Sequence, residues 1–241
     1  MWLLNTEHAA LEFFPSPEAV PGGYAILSHT WGPEKEQTFQ DLRVVLDLCK
    51  VSSENPLTSS HVSLKIRECC RVAKERGFEW VWIDTCCIDK TSSIELSEAI
   101  NSMFRWYASA EVCLAYLDDV PAGCNLDAED SDFRKARWFG RGWTLQELIA
   151  PLNLLFLNKD WCVIGTKVEH ARLLEQITGV RAPVLLRRMH FTSVSIAERM
   201  HWASKRTTSR VEDEAYCLLG LFDVSIPSIY GEGHRAFQRL Q

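Results

Sequence analysis

No run of about 18 uncharged apolar residues occurs in this sequence, so no membrane-crossing helix is expected. The first residues, MWLLNTEHAALEFF, have no basic leader, no long apolar stretch and no small-residue cleavage site, and do not read as a signal peptide. There is no basic run or basic–aromatic stripe and the net charge is −6, which argues against nucleic acid as a partner. None of the nine cysteines falls at a C-x2–4-C spacing and no His-x3–5-His follows, so no metal site is expected. G-x-S-x-G and H-E-x-x-H are absent, and Asp160 stands where a phosphate loop ending in Gly165-Thr166-Lys167 would need its first glycine. Hydride and nucleoside-triphosphate chemistry thus have no motif support, and no cofactor is expected.

What is present is an ordinary globular composition over 241 residues, 46% apolar and 24% charged, enough for one good core. Nine tryptophans point to aromatic packing in core or pockets. The cysteines, two adjacent pairs among them (Cys69-Cys70 and Cys86-Cys87), read as reduced thiols of an intracellular protein, with the cytoplasm as the expected location.

Trp2–Leu4 is a candidate short strand. Tyr24–Leu27 (YAIL) is a compact apolar run between a Pro/Gly loop and SHTWG, and reads as a buried strand. Glu79–Thr85, Glu111–Leu117 and Asn153–Leu157 continue the series of apolar strands. Helices are expected at Phe39–Cys49, at Lys65–Arg76 with Gly77 at C′, and from a capping box at Ser92/Glu95 through Tyr107. Asp118–Asp132 reads as an acidic surface loop. Alternating strands and helices with continuous apolar strands predict an α/β fold with a parallel sheet covered on both faces. Beyond Thr166 the pattern turns helical: Lys167–Thr178 ending at Gly179, Ser195–Ser204, and a helix from a second capping box, Ser209/Glu212, to Leu219 before Gly220.

In open α/β sheets, ligands bind outside the carboxyl ends of the strands at a topological switch point. Ser28-His29-Thr30-Trp31-Gly32, Asp84-Thr85-Cys86-Cys87 and Gly140–Glu147 are expected to converge there. Ser28–Gly32 is either a ligand-binding loop, with hydroxyls and imidazole as hydrogen-bonding groups and Trp31 as a stacking plate, or a polar turn with a packed indole. Asp84 either orients a ligand or holds the strand end. In WFGRGWTLQELIAP (138–151), Trp143 and Glu147 share a helical face one turn apart. Gly140 and Gly142 before them would bring the helix start close to a ligand. Glu147 by itself is a catalytic or a capping carboxylate.

Several long stretches carry a resemblance: YAILSHTWG (24–32), WIDTCCIDK (82–90), YASAEVCLAYL (107–117) and RWFGRGWTLQELIAP (137–151) closely resemble the heterokaryon incompatibility (HET) domain of filamentous fungi. RTTSRVEDEAYCLLGLFDVSIPSIYGEGHRAFQRLQ (206–241) is similar to the segment following that domain. HET domains are more distantly similar to TIR domains. Enzymatic TIR members carry a W-C-x-x-E-L-like motif whose Glu is essential for cleaving NAD. Trp143, Glu147 and Leu148 match it, with Thr144 where Cys is usual and Arg141 where Ser often precedes the Trp.

The resemblance implies a TIR/flavodoxin-like parallel sheet with helices on both faces in residues 1–165. Residues 166–241 would form a helical extension packed on that core and leading into further domains. It implies a cell-death effector of vegetative incompatibility, with innate-immune-like signalling. The domain would hydrolyse NAD to nicotinamide and ADP-ribose when oligomerised, by itself or through fused or partner NTPase-repeat modules. Glu147 would be catalytic and Ser28, His29, Thr30, Trp31, Asp84 and Trp143 would bind substrate. NAD would be a substrate rather than a cofactor, and neither nucleic acid nor membrane is an expected partner. The alternatives are a non-catalytic interaction module that signals death by self-association, and a nucleotide sensor without turnover.

Overall fold

The computed structural model describes residues 1–32 and 36–241. Seven strands form one mixed sheet: β1 (Trp2–Asn5), β2 (Leu11–Phe13), β3 (Ala25–His29), β4 (Trp80–Trp82), β5 (Val112–Tyr116), β6 (Leu154–Leu157) and β7 (Val163–Thr166), in the spatial order β2-β1-β4-β3-β5-β6-β7. The four apolar runs expected as core strands are β3 to β6, and they are mutually parallel. Nearly every residue along them is buried, odd and even alike, which requires cover on both faces. Their order, β4-β3-β5-β6, is 2-1-3-4 of a flavodoxin-like winding, and places the switch point between β3 and β5.

The sheet is not purely parallel. β1 and β2 form an antiparallel hairpin on β4, and β7 runs antiparallel to β6. The two edge strands escape a reading of apolar runs for simple reasons: β2 has one half-buried and two exposed residues, and β7 carries a glycine and no fully buried position. The boundary expected after residue 165 runs through β7.

The crossovers are α1 (Phe39–Ser52), α2 (Leu64–Glu75) and α3 (Ser93–Ser109). Each begins where a side-chain oxygen satisfies an orphan backbone donor: Thr38 accepts from Asp41 N, Ser63 from Ile66 N and Ser92 from Glu95 N. The box expected at Ser92/Glu95 is only half closed, because the Glu95 carboxylate accepts from Asp89 N instead. Three short helices precede β6: α4 (Asp132–Lys135), α5 (Arg137–Gly140) and α6 (Thr144–Ile149).

The C-terminal part contains α7 (Ala171–Thr178), α8 (Ala182–Leu185), α9 (Ile196–Ala203), α10 (Asp213–Tyr216), α11 (Leu219–Phe222) and α12 (Arg235–Leu240). Three expectations are corrected here. Lys167 does not open a helix; it is buried and α7 starts at Ala171. The capping box at Ser209/Glu212 does not form. Glu212 Oε1 instead accepts from Gly231 N (2.8 Å) and Gly233 N (3.0 Å), drawing the YGEG turn onto α10. Gly220 lies inside α11 and not beyond a helix end, because a Cβ there would sit 2.1 Å from Phe104 Cβ on α3. Leu173, Trp202, Leu218 and Leu221 belong to the same hydrophobic core as the strands. Among the described residues no helix is long and apolar enough to cross a membrane.

Candidate functional site

At the switch point, the last two residues of β3 lie beside β5, Ser28 opposite Ala115 and His29 opposite Tyr116. Alternation along the strand sends their side chains to opposite faces, and each meets a different carboxyl group.

Ser28 meets Glu147. Its hydroxyl donates to Glu147 Oε2 and accepts from Trp138 Nε1 at 2.7 Å. All three residues are buried, Glu147 with 7% of its surface exposed. The Tyr107 hydroxyl on α3 donates to Leu27 O at 2.8 Å and is also a hydrogen-bonding neighbour of the Glu147 carboxyl. A neutral Glu147 has a proton to give Tyr107; an ionised one competes with Leu27 O for the phenol hydrogen. Burial pushes the Glu147 carboxyl up to about 8, and Asp84 adds to the rise. The hydrogen bonds from Ser28 and Tyr107 and the charge of Arg206 oppose it.

His29 meets Asp84. Nε2 of the ring lies 3.7 Å from Asp84 Oδ1, and among the described residues neither ring nitrogen nor that oxygen has a hydrogen-bond partner. Burial holds the imidazole below its ordinary value, with Asp84 pulling the other way. Asp84 Oδ2 accepts from Trp31 Nε1 at 2.9 Å, and Lys90 Nζ stands 4.2 Å above the Trp31 ring. Trp31 is 47% exposed and forms the open side of this group. Thr30 points towards Asp118 (3.5 Å), itself paired with Arg137 at 2.6 Å.

The structure therefore brings Ser28 and Glu147 together in one buried cluster, and His29, Asp84 and Trp31 together in a second, more open one. Trp143 belongs to neither. It packs with Ile100, Tyr216 and Leu219, and its indole is a hydrogen-bonding neighbour of Asp213, whose carboxylate accepts from Tyr230 at 2.8 Å. Among the described residues no group of three or more His, Cys, Asp or Glu side chains could hold a metal ion. All nine cysteines are free, and burial raises the thiols of Cys69, Cys70 and Cys113, which keeps them protonated.

Helix α6 is fixed at both ends. At its carboxyl end the buried Lys167 donates to Leu148 O (3.2 Å) and Pro151 O, and Arg187 donates to Ala150 O. These cations satisfy carbonyls the helix leaves unpaired. Burial lowers the Lys167 ammonium to about 8. At the other end, Gly142 N donates to Thr207 O and Thr207 N to Gly140 O, both at 2.8 Å. A Cβ on Gly142 would come 2.5 Å from Thr208 Cγ2. The expectation that these glycines admit a ligand is thus revised for Gly142: the chain's own segment 207–208 occupies that space.

Composition and spacing do not single out Trp138, Tyr107, Lys90 or Arg206. One signal was available for Tyr107: a phenol on the apolar face of an expected helix needs a buried partner for its hydroxyl.

The family model described as Heterokaryon incompatibility protein (HET) matches residues 24–126, a span that holds Ser28 and Asp84 but not Glu147. The vegetative incompatibility protein HET-E-1 of Podospora anserina is 43% identical over 237 residues, covering 94% of this chain and 16% of that protein. The chain thus spans about one sixth of the length of this relative. No solved structure matches. The family match, the long alignment to HET-E-1 and the four quoted sequence motifs together place this chain in the heterokaryon incompatibility (HET) family.

Proposed function

We propose that this chain is the death-effector portion of a vegetative incompatibility protein, and that it cleaves NAD between ribose and nicotinamide with Glu147 as the working carboxylate. The incompatibility role rests on the HET match and on what HET-E-1 is named for. The observation that carries the chemistry is the Glu147 carboxyl: buried, bonded to Ser28 and raised to about 8, at the switch point of a flavodoxin-like strand order.

Nicotinamide in NAD is already cationic and leaves neutral, so no enzyme acid is needed and the usual pair of glycosidase carboxylates reduces to one. That carboxylate stabilises the oxocarbenium-like centre as positive charge develops on the ribose. A neutral Glu147 cannot do this. The cationic substrate beside it would favour ionisation, so substrate binding and ionisation of the carboxyl are coupled. The open group of Trp31, Lys90, Asp84 and His29 would hold the remainder of the dinucleotide, the indole by stacking and Lys90 through phosphate.

The closure over Glu147 favours a working form that opens, and we propose that clustering of copies opens it. Purified wild type and E147Q incubated with NAD, with free nicotinamide followed, test the assignment. Release by wild type and its loss in E147Q are expected; equal release removes Glu147 from the mechanism.

The same burial supports a second reading. Ser28, Trp138, Tyr107 and Glu147 satisfy one another as a core network would, as suits a module that signals by self-association alone. A folded, clustered wild type that releases no nicotinamide favours that reading.

A further inference from the structure

Arg206 lies against the start of α6, the helix that carries Glu147. It lies in the C-terminal segment, 59 residues beyond Glu147 in the chain and outside the residues that the family model matches. Nη1 donates to Arg141 O at 2.9 Å and to Thr144 Oγ1 at 3.0 Å. The other terminal nitrogen, Nη2, is buried with no hydrogen-bond partner among the described residues. Thr144 stands three residues before Glu147 on α6, on the same side of the helix and one turn away. The adjacent Thr207 forms the bridge to Gly140 and Gly142 that fixes this end of α6.

Two hydrogen-bonded runs meet at Trp138, one ending on its backbone carbonyl and the other starting from its indole. Arg206 donates to Thr144, and Thr144 donates to Trp138 O. The Trp138 indole donates to Ser28, and Ser28 donates to Glu147. Arg206 as a residue is half-buried, but its Nη2 is shielded from water, and such a spare donor is costly unless a negative charge answers it. Among the described residues the groups facing Glu147 are Ser28 on β3, Asp84 after β4, Tyr107 on α3, Cys113 on β5 and Arg206, which itself faces Cys217 as well as Glu147 and is lowered by burial to about 10. Among them Arg206 is the cation. Lys167, at the far end of α6, is committed to carbonyls.

We infer that Arg206 is a positioning residue for Glu147: from the C-terminal segment it supplies the positive charge against which the buried carboxyl ionises. The segment is then part of the carboxyl's own setting and not merely an attachment to the sheet. As a statement about catalysis this rests on the reading of Glu147 as the working carboxylate; as a statement about charge it stands apart from that reading, and the test addresses charge directly.

The test is a side-chain carboxyl titration of the whole chain by carbon NMR, with Glu147 assigned by its loss in E147Q. In R206Q the Glu147 midpoint is expected to rise by about half a pH unit or more, and in R206K, which keeps the charge, to return towards wild type. A folded R206Q with an unmoved midpoint overturns the inference, since a merely structural arginine would alter stability and leave the titration alone. Should R206Q fail to fold, the wild type answers by itself. The Arg206 guanidinium resonances are expected to titrate with the Glu147 midpoint and to lose that step in E147Q. Guanidinium signals indifferent to Glu147 overturn it equally. Neither readout requires NAD turnover, so failure of the proposed activity and failure of this inference are distinguishable.

Discussion

Glu147 owes its state to burial more than to any single partner. Ser28, Tyr107 and Arg206 favour the charged form, yet loss of water outweighs them and the carboxyl sits at about 8. The consequence for stability has a definite sign. A folded-state value above the ordinary 4.5 means that the folded protein holds this proton more tightly than the unfolded chain. The contribution is complete below the ordinary value and is lost as pH rises through about 8. Wild type is therefore expected to lose thermal stability relative to E147Q between about pH 4.5 and pH 8. Unfolding midpoints of the two proteins that run parallel across that range would contradict the burial account. At this scale the sequence was partly legible. Ser28, Asp84 and Glu147 were recognisable as polar groups at a strand edge or in a motif. That Ser28 would bond Glu147 across 119 residues, and His29 face Asp84 instead, depends on which side of β3 each side chain leaves. Trp143 illustrates the opposite case: the motif marks it, but its packing partners, Tyr216 and Leu219, are set by the tertiary course of the C-terminal segment.

Among the elements, continuous apolar runs made β3 to β6 legible because burial on both faces removes polar residues from nearly every position, Ser28 and His29 at the end of β3 excepted. The edge strands β2 and β7 lack that pressure and carry no comparable pattern. The start of α10 was not legible for a different reason. Glu212 has the right spacing to cap a local helix, but the backbone donors of Gly231 and Gly233 capture its carboxylate from a turn about twenty residues away. Gly220 reads as a helix stop in the sequence, whereas its role is close approach of α11 to α3. Gly220→Ala is expected to destabilise the protein by about 1–3 kcal/mol, because the Cβ of Phe104 cannot swing aside as the far end of a side chain could. Chemical denaturation of the variant checks this, and an unchanged midpoint would mean that the two helices separate freely.

On the scale of the whole molecule, the C-terminal segment and the sheet share one core and one set of hydrogen bonds. Segment 206–208 holds the start of α6, Lys167 and Arg187 hold its end, and the helix between them carries Glu147. An arrangement so closed suits an effector that is silent until copies gather. Specific activity towards NAD is therefore expected to climb with protein concentration and to fall away on dilution; activity that is full at high dilution would contradict this. The most direct measurement joins both claims: free nicotinamide released from NAD by wild type and by E147Q, each fused to the same oligomerising partner. The account predicts release by the clustered wild type and none by clustered E147Q. Equal release from the two, or none from a folded and clustered wild type, would contradict it.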